Sequence, residues 1–257
     1  MFWRKKMLIW DFNLFINFYD FISDNFFLTI IQTVFGVGLL VFGTPILIIL
    51  GYDFYETLGI LIPSSITIST FQLLKKNKSF YDEGKNIIYA VLGVFVGFTF
   101  LISFIETSLF IYLIFVCTVF ASICRSNIKL NKILTILISN KRKEFHFING
   151  VMHGFTNMGG ILLPLYSNLI YVEKKLSTYN TAIFYFFYSI FQILIIFIFP
   201  NSTIFYEGLK YLPLTILVYF FLGVRTYRII NEKTFKILVV VFFWLLSISL
   251  ALRILLI

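Results

Sequence analysis

The chain has 257 residues, of which 60% are hydrophobic and 13% charged, with 21 Lys and Arg against 12 Asp and Glu. An ordinary soluble domain is about 45–50% apolar and about 25% charged, so this composition excludes a soluble domain, a disordered chain and a coiled coil. It predicts a protein that crosses the membrane several times. In such a protein a net charge of +9 is typical of basic residues in cytoplasmic loops rather than of a nucleic-acid surface.

The first predicted element is a basic and aromatic N-terminal segment, residues 1–25. Arg4, Lys5 and Lys6 precede a short apolar run, as in a signal peptide. However, Asp11 and other polar residues interrupt that run, and no small-residue cleavage site follows. The segment predicts a helix that lies in the lipid headgroup layer, and the alternative is a frayed tail.

Apolar runs between charged breaks predict about eight membrane segments. The longest polar stretch, 125–144, carries six Lys and Arg residues. We interpret it as a basic cytoplasmic connection between a first transmembrane repeat, 26–124, and a second, 145–257. Within the connection, Ile133–Ile138 is too short to span and is expected to lie on the surface. In chain order the predicted segments are 26–50, 54–74, 86–105, 107–124, 145–170, 179–199, 209–224 and 234–257.

The opening segment of each half contains a glycine cluster followed by a proline. Both residue types interrupt helices, glycine because it is conformationally free and proline because it lacks an N–H. Matched interruptions in two halves favour a transporter site built from broken helices. The alternative is that the glycines only let helices pack closely. The two copies are Gly36-Val37-Gly38 with Gly43-Thr44-Pro45, and Gly154-Phe155-Thr156-Asn157-Met158-Gly159-Gly160 with Pro164.

The loop charges predict a topology. Loops 75–86 and 225–236 each carry four Lys or Arg and are expected in the cytoplasm with the central connection, whereas loop 200–208 has no basic residue. Eight full crossings conflict with this pattern. The conflict is removed if 145–170 re-enters and returns to the same side, and the repeat then predicts the same for 26–50. Each half then has three full spans and one re-entrant hairpin, which makes the two halves inverted relative to each other.

Hydroxyl groups are dense on the second predicted segment. Pro63 frees the carbonyl group of Gly59, four residues earlier. Ser64, Ser65 and Thr67 follow directly. Their hydroxyl groups either solvate substrate oxygens or bond to the freed backbone.

The histidines and cysteines restrict the chemistry. His153 precedes the second glycine cluster, where it either donates to an anion or packs between helices. Cys117 and Cys124 are seven residues apart on one helix, about 10 Å, which is too far for a disulfide. Two histidines and two distant cysteines do not form a metal site, and no nucleophile elbow or phosphate loop occurs. We therefore expect that the protein holds no metal or cofactor and is not an enzyme.

The predicted spans contain almost no carboxylate. Glu56 and Glu106 fall in tight connections and are expected at the surface. Proton and sodium carriers usually keep a buried carboxylate, so this argues against a cation carrier and leaves the coupling of anion movement unexplained. Backbone N–H groups exposed at glycine breaks, aided by helix N-termini, suit a small oxyanion.

These features resemble the sulfite exporter family named after TauE and SafE, also described as anion permeases of the 4-toluene sulfonate uptake type. The copy Gly154–Pro164 is the closer match, Lys174–Ala182 resembles the basic loop and helix start that follow it, and Gly36–Pro45 is looser. Asn157 stands where the family often has glycine. The resemblance implies transport of small sulfur-containing anions such as sulfite, sulfoacetate or other organosulfonates.

The sequence thus predicts an all-α, polytopic transmembrane bundle of about eight segments, built as two inverted repeats that each contain a broken or re-entrant Gly/Pro hairpin. The expected function is secondary transport of a small anion by alternating access in the bacterial inner membrane. An anion channel, or a membrane enzyme or scaffold with packing glycines, is the alternative. The expected partners are a small anion and the lipid bilayer, not nucleic acid, and a homo-oligomer is left open. The predicted substrate-binding residues are Gly36, Gly38, Gly43, Thr44, Ser64, Ser65, Thr67, His153, Asn157, Gly159 and Gly160.

Overall fold

Helices form all the regular secondary structure in the part of the chain that the structure describes, which confirms the predicted all-α fold. The predicted N-terminal segment lies outside the described residues except for Asn25. The computed structural model describes residues 25–50, 52–74, 83–103, 107–171, 173–198, 206 and 208–256. In chain order the main helices are α1 (Asn25–Phe35), α2 (Leu39–Ile49), α3 (Phe54–Leu73), α4 (Gly84–Ser103), α5 (Thr107–Ser126), α6 (Ile128–Asn140), α7 (Arg142–Thr156), α8 (Leu163–Ile170), α9 (Lys174–Ile198), α10 (Leu212–Val218), α11 (Val224–Ile229) and α12 (Glu232–Leu256).

Four helical stretches among the described residues are long and apolar enough to cross a membrane. Helices α1 and α2 are apolar but shorter than the length that a full crossing needs. The total of about eight segments and the inverted relation of the two halves therefore stay predictions. The four long stretches are Gly84–Leu101, Lys174–Phe197, Leu212–Ile229 and Glu232–Leu252.

The first glycine cluster divides the opening segment into an antiparallel helix pair. Helix α1 ends just before Gly36, which has a left-handed φ of 74°, and α2 begins at Leu39. The side-chain oxygen of Gln32 accepts a hydrogen bond from the Leu39 N–H at 3.2 Å. A β carbon on Gly43 would lie 3.1 Å from the side chain of Leu28. Because later residues of α2 meet earlier residues of α1, the chain runs back toward the side from which it came.

The second glycine cluster produces the same arrangement. Helix α7 is followed by Asn157, with a left-handed φ of 58°, by a single 3-10 turn (Gly159–Ile161) and by α8. The rings of His146 on α7 and Tyr166 on α8 lie 4.4 Å apart. Helix α8 therefore returns alongside α7 and forms a second antiparallel hairpin.

Glycine and asparagine, not proline, make the breaks themselves. Pro45 lies inside α2, and Pro164 lies in the first turn of α8, where a missing N–H has no cost. Pro63 lies inside α3. A β carbon on Gly208 would lie 2.2 Å from the carbonyl oxygen of Gly59, so the backbone before α10 packs directly on the carbonyl group that Pro63 frees.

Four glycines bring α4 and α7 into direct backbone contact. A β carbon on Gly93 or Gly97 would lie 2.1 Å from a carbonyl oxygen of α7. One on Gly150 or Gly154 would lie 2.0 or 2.2 Å from a carbonyl oxygen of α4. Both helices thus carry a small-x-x-x-small pattern at their interface, the usual device for close helix packing in membranes.

The boundaries of three predicted elements differ from the helices. Helix α9 begins at Lys174, earlier than the predicted 179–199, because the Lys174 ammonium donates to the carbonyl groups of Tyr227 and Ile230. The predicted 209–224 segment instead continues through a π-helical turn to Ile229. The segment predicted to open the second half starts before residue 145, since α7 includes the basic residues from Arg142 onward.

The predicted connection 125–144 contains a helix of its own. Helix α6 has 13 residues, fewer than a span needs. The Asn127 side chain caps it by accepting from the N–H groups of Lys129 and Leu130. Ile133 and Ile136 are exposed on its surface.

The core lies between the two hairpins and helices α3 and α9. Its largest fully buried side chains include Tyr166, Tyr185, Tyr188 and Phe184. By contrast, large apolar side chains such as Phe221 lie exposed on the outer helices. An apolar exterior around a partly polar interior is the distribution expected of a protein that faces lipid.

Candidate functional site

Asn157 connects the two hairpins at the second break. Its left-handed backbone conformation is one that glycine, asparagine and aspartate adopt most readily. Its side-chain nitrogen donates to the hydroxyl of Thr44 on α2 at 2.8 Å. Its side-chain oxygen accepts from the amide of Gln192 on α9 at 2.9 Å. The structure thus brings together Thr44 and Asn157, which the sequence analysis assigns to one site.

Gly159 and Gly160 let the chain after the break lie directly against α7 and α9. A β carbon on Gly159 would lie 2.4 Å from Cβ of His153 and 2.5 Å from the carbonyl oxygen of Asn149. One on Gly160 would lie 1.4 Å from the hydroxyl of Tyr185. A larger residue at either position therefore displaces polar side chains that surround the break.

Several buried polar atoms around this break have no hydrogen-bond partner among the described residues. They belong to α7 and α9, and those on α9 lie three or four positions apart, on one helix face. Buried polar groups are normally paired, so unpaired atoms gathered in one place indicate where a polar ligand completes the bonding. We name the side chains of these atoms, together with Asn157, the second-break cluster. The atoms are Asn149 Oδ1, His153 Nδ1 and Nε2, Tyr185 Oη, Ser189 Oγ and Gln192 Oε1.

His153 combines both roles that the sequence leaves open for it. Its ring stacks on Tyr188 with the centroids 4.3 Å apart, which is the contact of a packing histidine. The hydroxyl of Tyr188 in turn accepts from the Asn149 amide at 2.8 Å. The Gln192 side chain interacts with the same imidazole. Stacking leaves the edge of the ring, which carries both nitrogens, facing the Gln192 amide, and a ligand that binds here shares that edge with Gln192.

The second-break cluster is neutral, since it consists of amides, hydroxyls and an imidazole. Across the described part of the chain, no three His, Cys, Asp or Glu side chains are placed to hold a metal ion. The cluster therefore offers hydrogen bonds and carries no fixed charge.

A different set of amides organises the first break. The side chain of Gln32 accepts from Leu39 and donates to the Ser65 hydroxyl at 3.1 Å. The amide of Gln72 donates to the carbonyl oxygens of Gln32 and Thr33 at 3.2 and 3.1 Å. Gln72 therefore satisfies the open end of α1. At the second break, Gln192 instead donates to the side-chain oxygen of Asn157.

A cavity of about 170 Å³ lies beside the first break. Gly36 packs there against the N-terminal turns of α9, since its β carbon would lie 3.0 Å from the Thr178 carbonyl oxygen and 3.1 Å from Thr181. Lys175 contributes a positive charge to the lining, beside amide and hydroxyl groups. The lining residues are Thr33, Gln72, Lys175, Thr178, Tyr179, Tyr219, Val224 and Tyr227.

Two of the predicted hydroxyl groups bond to protein groups elsewhere. The Ser64 hydroxyl pairs with that of Thr215 at 2.9 Å. The Thr67 hydroxyl donates to the Pro63 carbonyl oxygen at 2.8 Å. These two hydroxyl groups thus bond within the protein, but to groups other than the Gly59 carbonyl that Pro63 frees.

The structure distributes the predicted site residues over two places. Thr181 beside the first break and Gln192 at the second are eleven residues apart on α9, about 16 Å. Thr44, His153, Asn157, Gly159 and Gly160 lie at the second break. Gly36, Gly38 and Ser65 lie at the first break, while Gly43 packs on Leu61 and Ser64 and Thr67 bond elsewhere.

A family model gives these features a context. The model of the sulfite exporter TauE/SafE family matches residues 25–250, which include both hairpins. The chain belongs to the sulfite exporter TauE/SafE family. The resemblance that the sequence suggests is thereby confirmed. No curated protein and no solved structure matches the chain.

Membership of the TauE/SafE family establishes the general function. The family consists of membrane transporters for sulfur-containing anions. The long apolar helices of this chain agree with that assignment. The protein is therefore a multi-pass membrane transporter of the TauE/SafE class.

Sequence reasoning misses several residues that organise the site of this TauE/SafE chain. Gln32 gives no periodic signal in an apolar segment, and its partners become close only after the chain folds back. Tyr185 and Ser189 lie in an aromatic run that looks like a lipid-facing helix. The spacing of Tyr185, Ser189 and Gln192 on one helix face is the signal that identifies them.

Proposed function

We propose that the protein is a permease that carries a small sulfur oxyanion or organosulfonate, such as sulfite or sulfoacetate, across the bacterial inner membrane by alternating access. The observation that carries this proposal is the second-break cluster. Six buried polar atoms of its side chains lack a hydrogen bond in the described part of the chain, and they gather at a helix break in a member of this family. Such breaks are where transporters of known architecture bind their substrates.

The chemistry of the cluster favours an oxyanion that carries a proton. Tyr185, Ser189 and His153 supply O–H and N–H donors for anionic oxygens. Asn149 and Gln192 each present an unpaired amide oxygen, which only accepts. Singly protonated sulfite uses both kinds of partner, because it has oxygen acceptors and one hydroxyl donor. A fully deprotonated dianion leaves the amide oxygens unpaired.

Corresponding backbone geometry at the two breaks supports an inverted repeat. Gly36 and Asn157 both have positive φ. Each N–H bonds to the carbonyl group four residues earlier, that of Gln32 at 2.8 Å and that of His153 at 2.7 Å. The same turn thus ends the first arm of each hairpin.

Alternating access follows from placing these hairpins on opposite sides. In this proposal the repeats 26–124 and 145–257 each supply one hairpin, and the basic connection 125–144 joins them on the cytoplasmic side. The cavity beside the first break and the second-break cluster then lie at different depths. Rocking of the repeats exposes the anion to one side of the membrane and then to the other.

The test uses two variants that remove hydroxyl groups without changing shape greatly, Tyr185→Phe and Ser189→Ala. Purified protein in proteoliposomes is assayed for uptake of labelled sulfite. Each variant is expected to raise KM at least about tenfold, since a hydrogen bond to a charged group is worth about 1.5–3 kcal/mol. Neither variant is expected to lower the unfolding temperature, because the lost hydroxyl has no partner in the described structure.

Ser122→Ala is the matched control. The Ser122 hydroxyl is also buried, but it pairs with that of Ser247 at 3.2 Å, between α5 and α12. Its loss is expected to leave the KM for sulfite unchanged. Wild-type KM values in both Tyr185→Phe and Ser189→Ala refute the second-break cluster as the substrate site. Unlabelled sulfite inside the vesicles is expected to accelerate uptake of labelled sulfite, whereas conductance without such counterflow identifies an anion channel.

A further inference from the structure

Glu83 is a fully buried carboxylate beside the second hairpin. It directly precedes α4 and has 0% exposure. Its Oε1 accepts from the hydroxyl groups of Tyr166 at 2.7 Å and Tyr171 at 2.9 Å. Its Oε2 accepts from the Asn86 amide at 2.7 Å. A carboxylate that accepts three hydrogen bonds and donates none has the bonding pattern of the ionised form.

His146 lies on the other side of the same carboxylate. Its Nε2 is 3.8 Å from Oε2 of Glu83, and both side chains are fully buried. Neither ring nitrogen has a hydrogen-bond partner among the described residues. The imidazole stacks on Phe184 at 4.3 Å and meets Tyr166 edge to face. Its neighbours thus hold the ring with Nε2 beside the carboxylate.

We propose that Glu83 and His146 form a proton-binding site that couples proton movement to anion transport. A proton binds Oε2 of Glu83, and the new O–H donates to Nε2 of His146. The separation of 3.8 Å then closes to about 2.7 Å. No other covalent bond changes, and the carboxylate becomes neutral. The inference rests on the proposed function only in requiring that an anion is moved.

The position of Glu83 explains why the sequence alone indicates no residue that couples proton movement to anion transport. Glu83 falls in the basic loop 75–86, outside the predicted spans, where an acid is expected to be solvated. The structure instead buries it at the base of α4. Buried ionisable residues in membrane transporters typically mark proton or ion pathways.

The neighbouring groups determine how readily Glu83 takes up a proton. Tyr166 and Tyr171 stabilise the ionised carboxylate and so oppose protonation, whereas His146 favours it by offering the new O–H an acceptor. Arg142, in the first turn of α7, acts electrostatically on both His146 and Tyr166. Burial of the ring disfavours an imidazolium and the positive charge of Arg142 adds to this effect, so the pair holds one proton, on Glu83, and not two.

Protonation shifts the hydrogen bonding of Glu83 from one arm of the second hairpin, α8, toward the other, α7. Hydrogen bonds to an ionised group are about twice as strong as neutral ones, so a proton weakens the bonds from Tyr166, within α8, and from Tyr171, which directly follows it. It adds a bond to His146 on α7. His153 follows seven residues later on that helix, about 10 Å away. Proton binding therefore loosens the returning arm next to the second-break cluster.

Infrared difference spectroscopy tests the proton site without transport. On acidification of the purified protein in lipid, a band of a protonated carboxyl group is expected in the wild type and is expected to be lost in Glu83→Gln. Glu144→Gln removes an exposed carboxylate from the same helix as His146 and is expected to keep the band. Persistence of the full band in Glu83→Gln overturns the proposal.

A second variant covers the case in which Glu83→Gln does not fold. Tyr166→Phe keeps the carboxyl group but removes one donor to its ionised form. The band is then expected to appear at a higher pH than in the wild type, because ionisation has lost a stabilising bond. An unchanged pH for the band overturns the role of this carboxylate.

Proteoliposomes test the coupling itself. Glu83→Gln is expected to retain sulfite counterflow but to lose the accumulation of sulfite driven by a pH gradient, while Glu144→Gln keeps both. Wild-type accumulation in Glu83→Gln, or equal loss of counterflow and accumulation in folded protein, overturns the coupling. If the wild type moves no sulfur anion, the proposed function fails, while the infrared band still decides the proton site.

Discussion

Asn157 shows how one residue shapes the backbone and contributes to the proposed binding site at once. Its φ of 58° turns the chain after α7, and its side chain bonds to Thr44 and Gln192. Glycine provides the turn but not the bonds, and alanine provides neither. Asparagine at this position thus provides the turn and, in addition, a polar connection between the two hairpins.

Comparison of Asn157→Gly with Asn157→Ala separates these two contributions. Both variants lose the side-chain bonds, but only alanine places a β carbon at positive φ, at a cost of about 1–2 kcal/mol. We therefore expect Asn157→Ala to unfold at a lower temperature than Asn157→Gly in detergent. Equal unfolding temperatures contradict a backbone role for this position.

At the scale of residues, the sequence predicts the breaks but not the groups that satisfy them. Gly36, Gly159 and Gly160 are visible because each stands in a glycine cluster followed by a proline, a pattern that opens both halves. Gln32 and Glu83 are not visible, because a lone polar residue in a chain reads as a loop or packing residue. Their roles depend on contacts with residues tens of positions away.

The contact between α4 and α7 shows how two elements achieve close packing through missing side chains. Gly93 and Gly97 face carbonyl oxygens of α7, and Gly150 and Gly154 face carbonyl oxygens of α4. The alternative role of glycine, close helix packing, therefore applies to Gly154. Gly159 and Gly160, five and six residues further on, belong to the break instead. One glycine-rich stretch thus serves both functions.

Gly97→Ala tests this packing. Its β carbon would lie 2.1 Å from the Val151 carbonyl oxygen, and overpacking typically costs about 1–3 kcal/mol. The thermal unfolding temperature in detergent is expected to fall. Gly84→Ala, on the same helix but with nothing within 4 Å of its β carbon, is expected to unfold no earlier than the wild type. Equal unfolding temperatures for the two variants rule out the tight interface.

At the scale of elements, the predicted helix boundary is wrong where a charged residue bonds within the protein. Lys174 looks like part of a solvated loop, yet its ammonium group bonds to carbonyl oxygens at the end of α11. Hydropathy alone places the start of α9, the helix that Lys174 opens, several residues too late. The error has a tertiary cause, since the acceptors lie more than fifty residues further along the chain.

At the scale of the whole molecule, two antiparallel hairpins determine which connections share a side. The arms α7 and α8 return to the level of His146 and Tyr166, so residues before α7 and after α8 lie on the same side. The loop charges predict that this side is the cytoplasm. They also predict that the end of α2 lies on the opposite side of the membrane.

Cysteine accessibility in intact cells tests this topology. In a variant without Cys117 and Cys124, single cysteines are introduced by Lys141→Cys, Glu173→Cys and Leu50→Cys, all at exposed positions. A membrane-impermeant reagent is expected to label only Leu50→Cys from outside. Labelling of Lys141→Cys and Glu173→Cys from opposite sides contradicts a re-entrant second hairpin.

The glycine contact between α4 and α7 restricts how the molecule moves. Because carbonyl oxygens fill the space beside Gly93 and Gly97, neither helix is able to slip along the other without collision. Because α4 belongs to the first repeat and α7 to the second, this contact is the pivot about which the repeats rock in the proposed mechanism, and the movement has to occur at contacts lined by larger side chains. A crosslink across such a contact is then expected to stop transport while leaving every group that touches the anion unchanged.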